Sequence, residues 1–240
     1  MEYYGLTEVG ASGINADSYY ISQDEKIFAI ADGASGAFDK VGAGVICMNV
    51  IKELNYYSSG LKPQEYILHC INEANNRLIK KSQEDGYLSF GTMTMAVVDE
   101  GRLNIGAVGD SPAFLIQGNQ IRKIIKPKKR YAKLIELGIL TEEEIDKAIS
   151  SIPCEMWSMF DNFLPMVIPQ IAVEEYLISQ NDILIICTDG VSDWIDEDEF
   201  LDILRDSSSI EQGCKKFFSI VNERCPANRL DDKTIIVVQV

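Results

Sequence analysis

The sequence predicts an α+β fold in which antiparallel sheets are flanked by helices, and three observations carry that expectation. Strands follow strands and helices follow helices, which argues against a doubly wound parallel sheet of singly alternating units. Of 240 residues, 46% are hydrophobic, enough for one substantial core, and no Pro/Ser-rich linker or charge block divides it. Residues 1–240 are therefore read as one domain. Short apolar runs also end repeatedly in an aspartate beside a glycine, the pattern of buried strands stopped by a polar turn.

Taken in order, Thr7 to Ser12 has no clear period, and Gly13 to Ser18 reads as a turn into a strand at Tyr19 to Ile21. Asp24-Glu25 turns the chain into the run Lys26 to Ala31, stopped by Asp32-Gly33. A helix is expected from about Phe38 to Leu54, with Val41, Val45, Met48 and Ile51 at helical spacing. Gly42 and Gly44 weaken it but let its backbone approach a neighbour closely. The next helix runs from Pro63, a residue suited to a first turn, to about Ser82, with Ile67, Cys70, Ile71, Ala74 and Leu78 on one stripe. Leu88–Val98, Arg102–Val108, Ala113–Ile116 and Gln120–Ile125 then read as a β meander of four strands.

The basic cluster Lys126 to Arg130 opens a different stretch. Tyr131 to Leu137 forms a short helix closed by Gly138, and the capping box Thr141-Glu142-Glu143-Glu144 starts another, reaching about Ser150. Ile152 to Pro169, rich in aromatics and carrying three prolines, reads as an irregular segment packed against a larger body. Strands at Ile171–Leu177 and Ile183–Thr188 follow. Asp196 to Glu199 cap a helix carrying Phe200, Leu201 and Leu204, and a last helix at Ser209–Arg224 leads to a strand at Thr234–Val240.

With 22 basic and 37 acidic residues the net charge is −15, which disfavours nucleic acid and anionic membrane as partners. Met1 to Gly5 has neither the basic flank nor the apolar stretch of a signal peptide, and no segment approaches the length of a membrane span, so the expected location is cytoplasmic. The six cysteines form no C-x-x-C pair and fall mostly in apolar segments, as reduced core thiols do. His69, the one histidine, lies off its helix's apolar stripe and reads as a surface residue. That sets aside Ser-His-Asp and Cys-His catalysis and two-histidine zinc sites. No cysteine is followed six residues later by arginine, and no Gly-x-x-x-x-Gly-Lys loop occurs, which sets aside cysteine-based phosphatases and P-loop hydrolases.

Chemistry gathers at four acids. Asp32, Asp110 and Asp189 each end an apolar run, and Asp231-Asp232 begins one, so strands of alternating direction would bring all four to one edge. Any single Asp-Gly pair is as well explained as a turn. Four together would repel and raise one another's pKa unless a cation compensates them, and oxygen-only clusters suit Mg²⁺ or Mn²⁺. Water between two such ions can attack a phosphorus atom in line.

In that order along the chain, Asn15-Ala16-Asp17-Ser18, Asp32-Gly33-Ala34-Ser35-Gly36, Gly91-Thr92, Gly109-Asp110-Ser111, Thr188 to Asp193 and Asp231-Asp232-Lys233-Thr234 resemble the motifs of the metal-dependent protein phosphatases, type 2C. Leu134 to Glu144 resembles that family's helical flap, within a flap-like segment at about 126–170. The resemblance implies a four-layer α-β-β-α sandwich, two packed antiparallel sheets with helices outside. It also implies a binuclear Mn²⁺ or Mg²⁺ site bridged by Asp32, with Gly33 offering a carbonyl, Asp189 and Asp231 holding the first ion, Asp110 serving a third, weaker ion, and Asp17 and Asp232 supporting from behind. The implied activity is hydrolysis of phosphoserine and phosphothreonine in a phosphorylated protein substrate by a metal-bridging hydroxide, and the aromatics and prolines of the segment Lys126 to Pro169 fit either a substrate-recognising flap or an arm for a regulatory partner.

Departures from the family pattern bear on that expectation. The arginine that clamps substrate phosphate in relatives is Ser12 here, and a bidentate guanidinium has no equivalent in a hydroxyl. Ala16 replaces an acid, Ala34 a histidine, Pro112 an arginine and Asp232 an asparagine. An alternative is therefore a phosphatase-like regulatory or binding module with weak or no turnover. The plainest alternative is an acidic domain whose Asp-Gly pairs are only turns.

Overall fold

The computed structural model describes residues 1–22, 24, 26–33, 42–85, 89, 91–125 and 171–240. The expected flap at 126–170, with its capping box at Thr141 and the cluster Lys126 to Arg130, lies outside the described residues, as do Ala34 and Cys154.

Ten strands form two five-stranded antiparallel sheets. The first has the order β1 (Glu2–Glu8), β10 (Lys233–Gln239), β9 (Ile183–Cys187), β6 (Ala113–Gln117), β7 (Gln120–Ile125). The second has the order β2 (Ser18–Ser22), β3 (Ile27–Ala31), β4 (Met93–Asp99), β5 (Arg102–Val108), β8 (Ala172–Leu177). Helices α1 (Ala43–Glu53), α2 (Tyr56–Ser59) and α3 (Pro63–Asp85) belong to the second sheet's side, and α4 (Asp189–Ser192), α5 (Glu197–Arg205) and α6 (Ile210–Arg224) to the first sheet's. A 3₁₀ turn at Ala227–Arg229 leads back into β10.

The pleat explains three cores. Along β3, Ile27, Ala29 and Ala31 face α1 and α3, whereas Phe28 and Ile30 face the other sheet. Ile186 and Ile236 meet Phe28 and Ile30 between the sheets, while Ile185, Ile235 and Val237 turn outward to Phe200, Phe217 and Val221 of α5 and α6. Every residue of β3 is buried, as a strand covered on both faces must be. The four-layer α-β-β-α sandwich is thus the observed architecture.

Four expectations need correction. The strands from β4 to β7 are not a meander: β4 pairs with β5 in one sheet and β6 with β7 in the other, so the chain crosses between sheets at residues 109–112. Local alternation carries no information about which sheet a strand joins. β1 covers residues to which the sequence reading assigns no element, because an edge strand buries its residues only in part, and α2, likewise unassigned, is a single turn capped by the Asn55 side chain. On α1, Val45 is 41% exposed, and the buried face is instead Ala43, Gly44, Cys47, Met48, Val50 and Ile51. The reason is Gly44, where a Cβ would stand 2.6 Å from the Ala16 carbonyl oxygen and 3.1 Å from that of Ala31. The helix turns its glycine, not its valine, to the sheet.

Five cysteines, Cys47, Cys70, Cys187, Cys214 and Cys225, are free and buried, and His69 is exposed. None of the helices among the described residues is long and apolar enough to cross a membrane.

Candidate metal centre

Strand parity brings the acids together. β3 and β5 are both antiparallel to β4, so they run the same way and deliver Asp32 and Asp110 to one edge of their sheet. β9 and β10 are antiparallel neighbours, so the end of one, at Asp189, and the start of the other, at Asp231, share an edge of the second sheet. Stacking superposes the two edges: the charges of Asp17, Asp110 and Asp231 all act on Asp32, and those of Asp32, Asp110 and Asp231 on Asp189.

Local bonds hold this edge rigid. The Thr92 amide donates to the Asp32 carbonyl at 2.7 Å, and the Thr92 hydroxyl shares a 2.6 Å hydrogen bond with that of Ser111. Thr94 donates to the Ser111 carbonyl at 2.8 Å, and the Cys187 amide to the Pro112 carbonyl at 3.2 Å. The crossing loop that carries Asp110 is therefore tied to both sheets. On the other side, the Thr234 amide donates to the Thr188 hydroxyl at 3.0 Å, which turns that hydroxyl's proton to Asp17 Oδ2 at 2.9 Å.

Asp232 works differently from its neighbour. Its two carboxylate oxygens accept the backbone amides of Gly10 and Ala16, each at 2.7 Å, so it fastens the loop that carries Asp17, the acid on which its charge acts. Asp231 keeps one oxygen available, since only its Oδ1 accepts the Asp232 amide, at 2.8 Å. Gly190 permits this packing. A Cβ there would lie 2.0 Å from the Asp232 carbonyl oxygen.

The electrostatics describe carboxylates lacking a counter-charge. Burial, then Asp32, Asp110, Asp193 and Asp231, push the Asp189 carboxyl up to about 9. Burial, then the charge of Asp17, likewise raise Asp32, and burial raises Asp17 against the hydrogen bonds from Thr234 and Thr188. Asp189 Oδ1 is buried with no hydrogen-bond partner. Such an orphaned acceptor is costly unless a cation meets it.

Divalent ions fit this donor set. Among the described residues no three His, Cys, Asp or Glu side chains close on a point tightly enough to hold an ion alone. Mg²⁺ ordinarily keeps several waters and takes only one or two carboxylates. Gly33 lies at the same edge, bridged to Gly91.

Two residues stand apart from expectation. Ser12 is exposed, and its hydroxyl closes on its own loop, donating to the Ile14 carbonyl at 2.9 Å, so it offers no phosphate clamp. Asp193 carries no role in the sequence reading, yet burial, Asp110 and Asp231 raise its pKa. The signal was available, because Asp193 follows Asp189 by four residues, one turn of helix.

A model of the protein phosphatase 2C family matches residues 9–231. The serine/threonine phosphatase stp of Listeria welshimeri is 21% identical over 220 residues, covering 87% of this chain and 83% of that protein. The fold is similar to that of the Mycobacterium tuberculosis serine/threonine phosphatase PstP/Ppp, with a TM-score of 0.77 at 20% identity over 100% of this chain and 98% of the other. It is also similar to a PstP catalytic domain in complex with two manganese ions, with a TM-score of 0.74 at 19% identity, covering 99% and 97% of the two chains.

Proposed function

Because the chain belongs to the protein phosphatase 2C family, we propose that it is a metal-dependent serine/threonine protein phosphatase whose substrates are phosphoserine and phosphothreonine in other proteins. The observation that carries this reading is the unpartnered Asp189 Oδ1 among carboxylates that raise one another's pKa. Asp32, Gly33, Asp189 and Asp231 would hold two Mn²⁺ or Mg²⁺ ions, and Asp110 with Asp193 a third. When bound, such ions supply a water acidic enough to attack phosphorus at neutral pH and neutralise the phosphoryl oxygens.

The chain's own groups set the geometry. Asp17, held by Thr188, presents a carboxylate at the site's inner wall, where it orients a nucleophilic water and accepts its proton. Asp232 keeps Asp17 in place by fastening residues 10–16. With Ser12 turned into its loop, phosphate is held without a guanidinium fork, and substrate binding is correspondingly weak. The same observation supports the second reading, a phosphatase-like module that binds but barely turns over. The segment 126–170 would receive a regulatory partner, and the protein would act in the cytoplasm.

The test is release of phosphate from para-nitrophenyl phosphate and a phosphothreonine peptide with Mn²⁺, Mg²⁺ or EDTA, comparing wild type with Asp32→Asn and Asp189→Asn. Metal-dependent release lost in both variants is the expected result. No release from folded, metal-loaded wild type would reject the enzyme in favour of the binding module.

A further inference from the structure

Neither Gly91 nor Thr92 brings a carboxylate to the acidic edge, yet both lie against Asp32. Gly91 is bridged to Gly33, and a Cβ on it would stand 2.4 Å from the Asp32 carbonyl oxygen, so glycine is what lets the two backbones approach this closely. The approach sets Thr92 opposite both backbone groups of Asp32. Its amide donates to the Asp32 carbonyl at 2.7 Å, and its hydroxyl accepts the Asp32 amide at 3.3 Å.

The same side chain grips the crossing loop. A Cβ on Gly109 would lie 2.5 Å from the Thr92 methyl carbon, and Gly109 has φ +94°, so the residue before Asp110 folds tightly onto that methyl. The residue after Asp110 is Ser111, 1% exposed, whose hydroxyl shares a 2.6 Å hydrogen bond with that of Thr92. One β-branched side chain, stiff about its first torsion, thus meets both neighbours of Asp110 through two different groups. Asp32 and Asp110 end strands that are not themselves neighbours, because β4 lies between β3 and β5. Thr92 stands just before β4, between those two ends. Among the described residues no other side chain bonds both the Asp32 backbone and the loop that carries Asp110. Mg²⁺ demands near-ideal octahedral geometry, so a carboxylate displaced by about 0.5 Å already weakens its hold on the ion.

We propose, on the ion assignment given above, that Thr92 is a positioning residue whose hydroxyl bond to Ser111 fixes Asp110 against Asp32, and so sets the affinity of the third ion and couples it to the pair bridged by Asp32. The coupling is reciprocal: ions at Asp32 favour the loop position that Asp110 needs, and an ion at Asp110 favours theirs.

The experiment is calorimetric titration of the full chain with Mn²⁺, together with the electron paramagnetic resonance signal of free Mn²⁺, so neither readout depends on phosphate release. Wild type should show tight steps followed by a weak one. Thr92→Val, which keeps the shape and loses the hydroxyl, should weaken the last step about tenfold, the order of one net hydrogen bond, with a smaller loss at the tight steps. Ser111→Ala should do the same, and the double variant should be no weaker than either single one, since both remove one shared bond. Thr92→Ser, which keeps the hydroxyl, should recover most of the affinity. Val98→Ala, in the core between the sheets at the far end of β4, lowers stability as well and should leave every step unchanged. Equal binding by wild type and Thr92→Val, the same weakening in Val98→Ala, Thr92→Ser as weak as Thr92→Val, or no weak step in wild type would each overturn the role of Thr92 while the metal centre stands. No Mn²⁺ binding by wild type would overturn the centre and the role of Thr92 with it.

Discussion

Asp189 concentrates the tension of the acidic edge in one residue, half-buried, surrounded by four other acids and with one oxygen buried and unpartnered. The sign of its effect on stability follows. Its folded pKa is raised far above the ordinary 3.8, so between those values the native state binds a proton that the unfolded chain has released. The native state gains from that proton at low pH and loses the gain as pH rises. In EDTA the melting temperature should therefore fall as pH increases from about 4 toward 9, most steeply below neutrality, where the native state still holds the protons of Asp17, Asp32 and Asp189 that the unfolded chain has lost, and more gently as those groups ionise between about 7 and 9. Calorimetry across that range checks it, and a flat or rising profile would count against the raised carboxyls. Asp189→Asn removes one of the repelling charges. It should leave the chelated protein as stable as wild type or more so at pH 8, while abolishing the gain of about 2.7 kcal/mol that a ligand at a hundred times its Kd confers. Denaturant titration with and without Mn²⁺ measures both effects.

At the scale of elements, the acids depend on how turns lock strand ends. Gly190 opens α4 against the start of β10 with only 2.0 Å between a would-be Cβ and the Asp232 carbonyl oxygen. Gly190→Ala must push α4 and β10 apart, at about 1–3 kcal/mol for overpacking of this kind. Because the displacement separates Asp189 from Asp231, Mn²⁺ affinity should fall together with urea stability, and normal affinity in the variant would show that the two acids do not share an ion. Asp232→Ala breaks the two amide bonds to Gly10 and Ala16. It should loosen the loop bearing Asp17, seen as faster amide exchange at residues 10–16, while the Asp189 and Asp231 side chains keep their places. Lys233, next in sequence, is 1% exposed and ties the same strand outward, donating to Glu8 at 2.8 Å and Asn222 at 2.7 Å. The start of β10 is thus anchored on both faces.

For the whole molecule, the site exists only because two sheets stack. Ile186 of one sheet sits in the core that contains Ile30 of the other, so Ile186→Val should cost about 0.5–1.5 kcal/mol, and since both sheets carry acids, release of Mn²⁺ should coincide with loss of far-ultraviolet ellipticity on heating. Separate transitions would mean that the edge opens before the sandwich does. Much of this was legible in the chain itself. The runs ending at Asp32, Asp110 and Asp189 and the one beginning after Asp232 identify buried strands and their acids, because apolar period and a polar stop are local properties. The stripe from Ile67 to Leu78 is equally local and is the one that α3 buries. What the sequence could not decide is which strands are neighbours. The reading of β4 to β7 as one meander fails because β5 and β6 alternate as well in separate sheets as in one, and only the bonds of Thr92, Thr94 and Cys187 to the loop 111–112 show where the chain crosses. Likewise Asp231 and Asp232 are adjacent and chemically identical, yet one faces the acids and the other fastens a loop, since the amides of Gly10 and Ala16 arrive from 216 or more residues away. Sequence determined the elements and the residue types at their ends through short-range sterics and hydrophobic period. Tertiary structure decided the pairing of sheets and the partner of each carboxylate, because those depend on contacts between segments that local pattern does not relate.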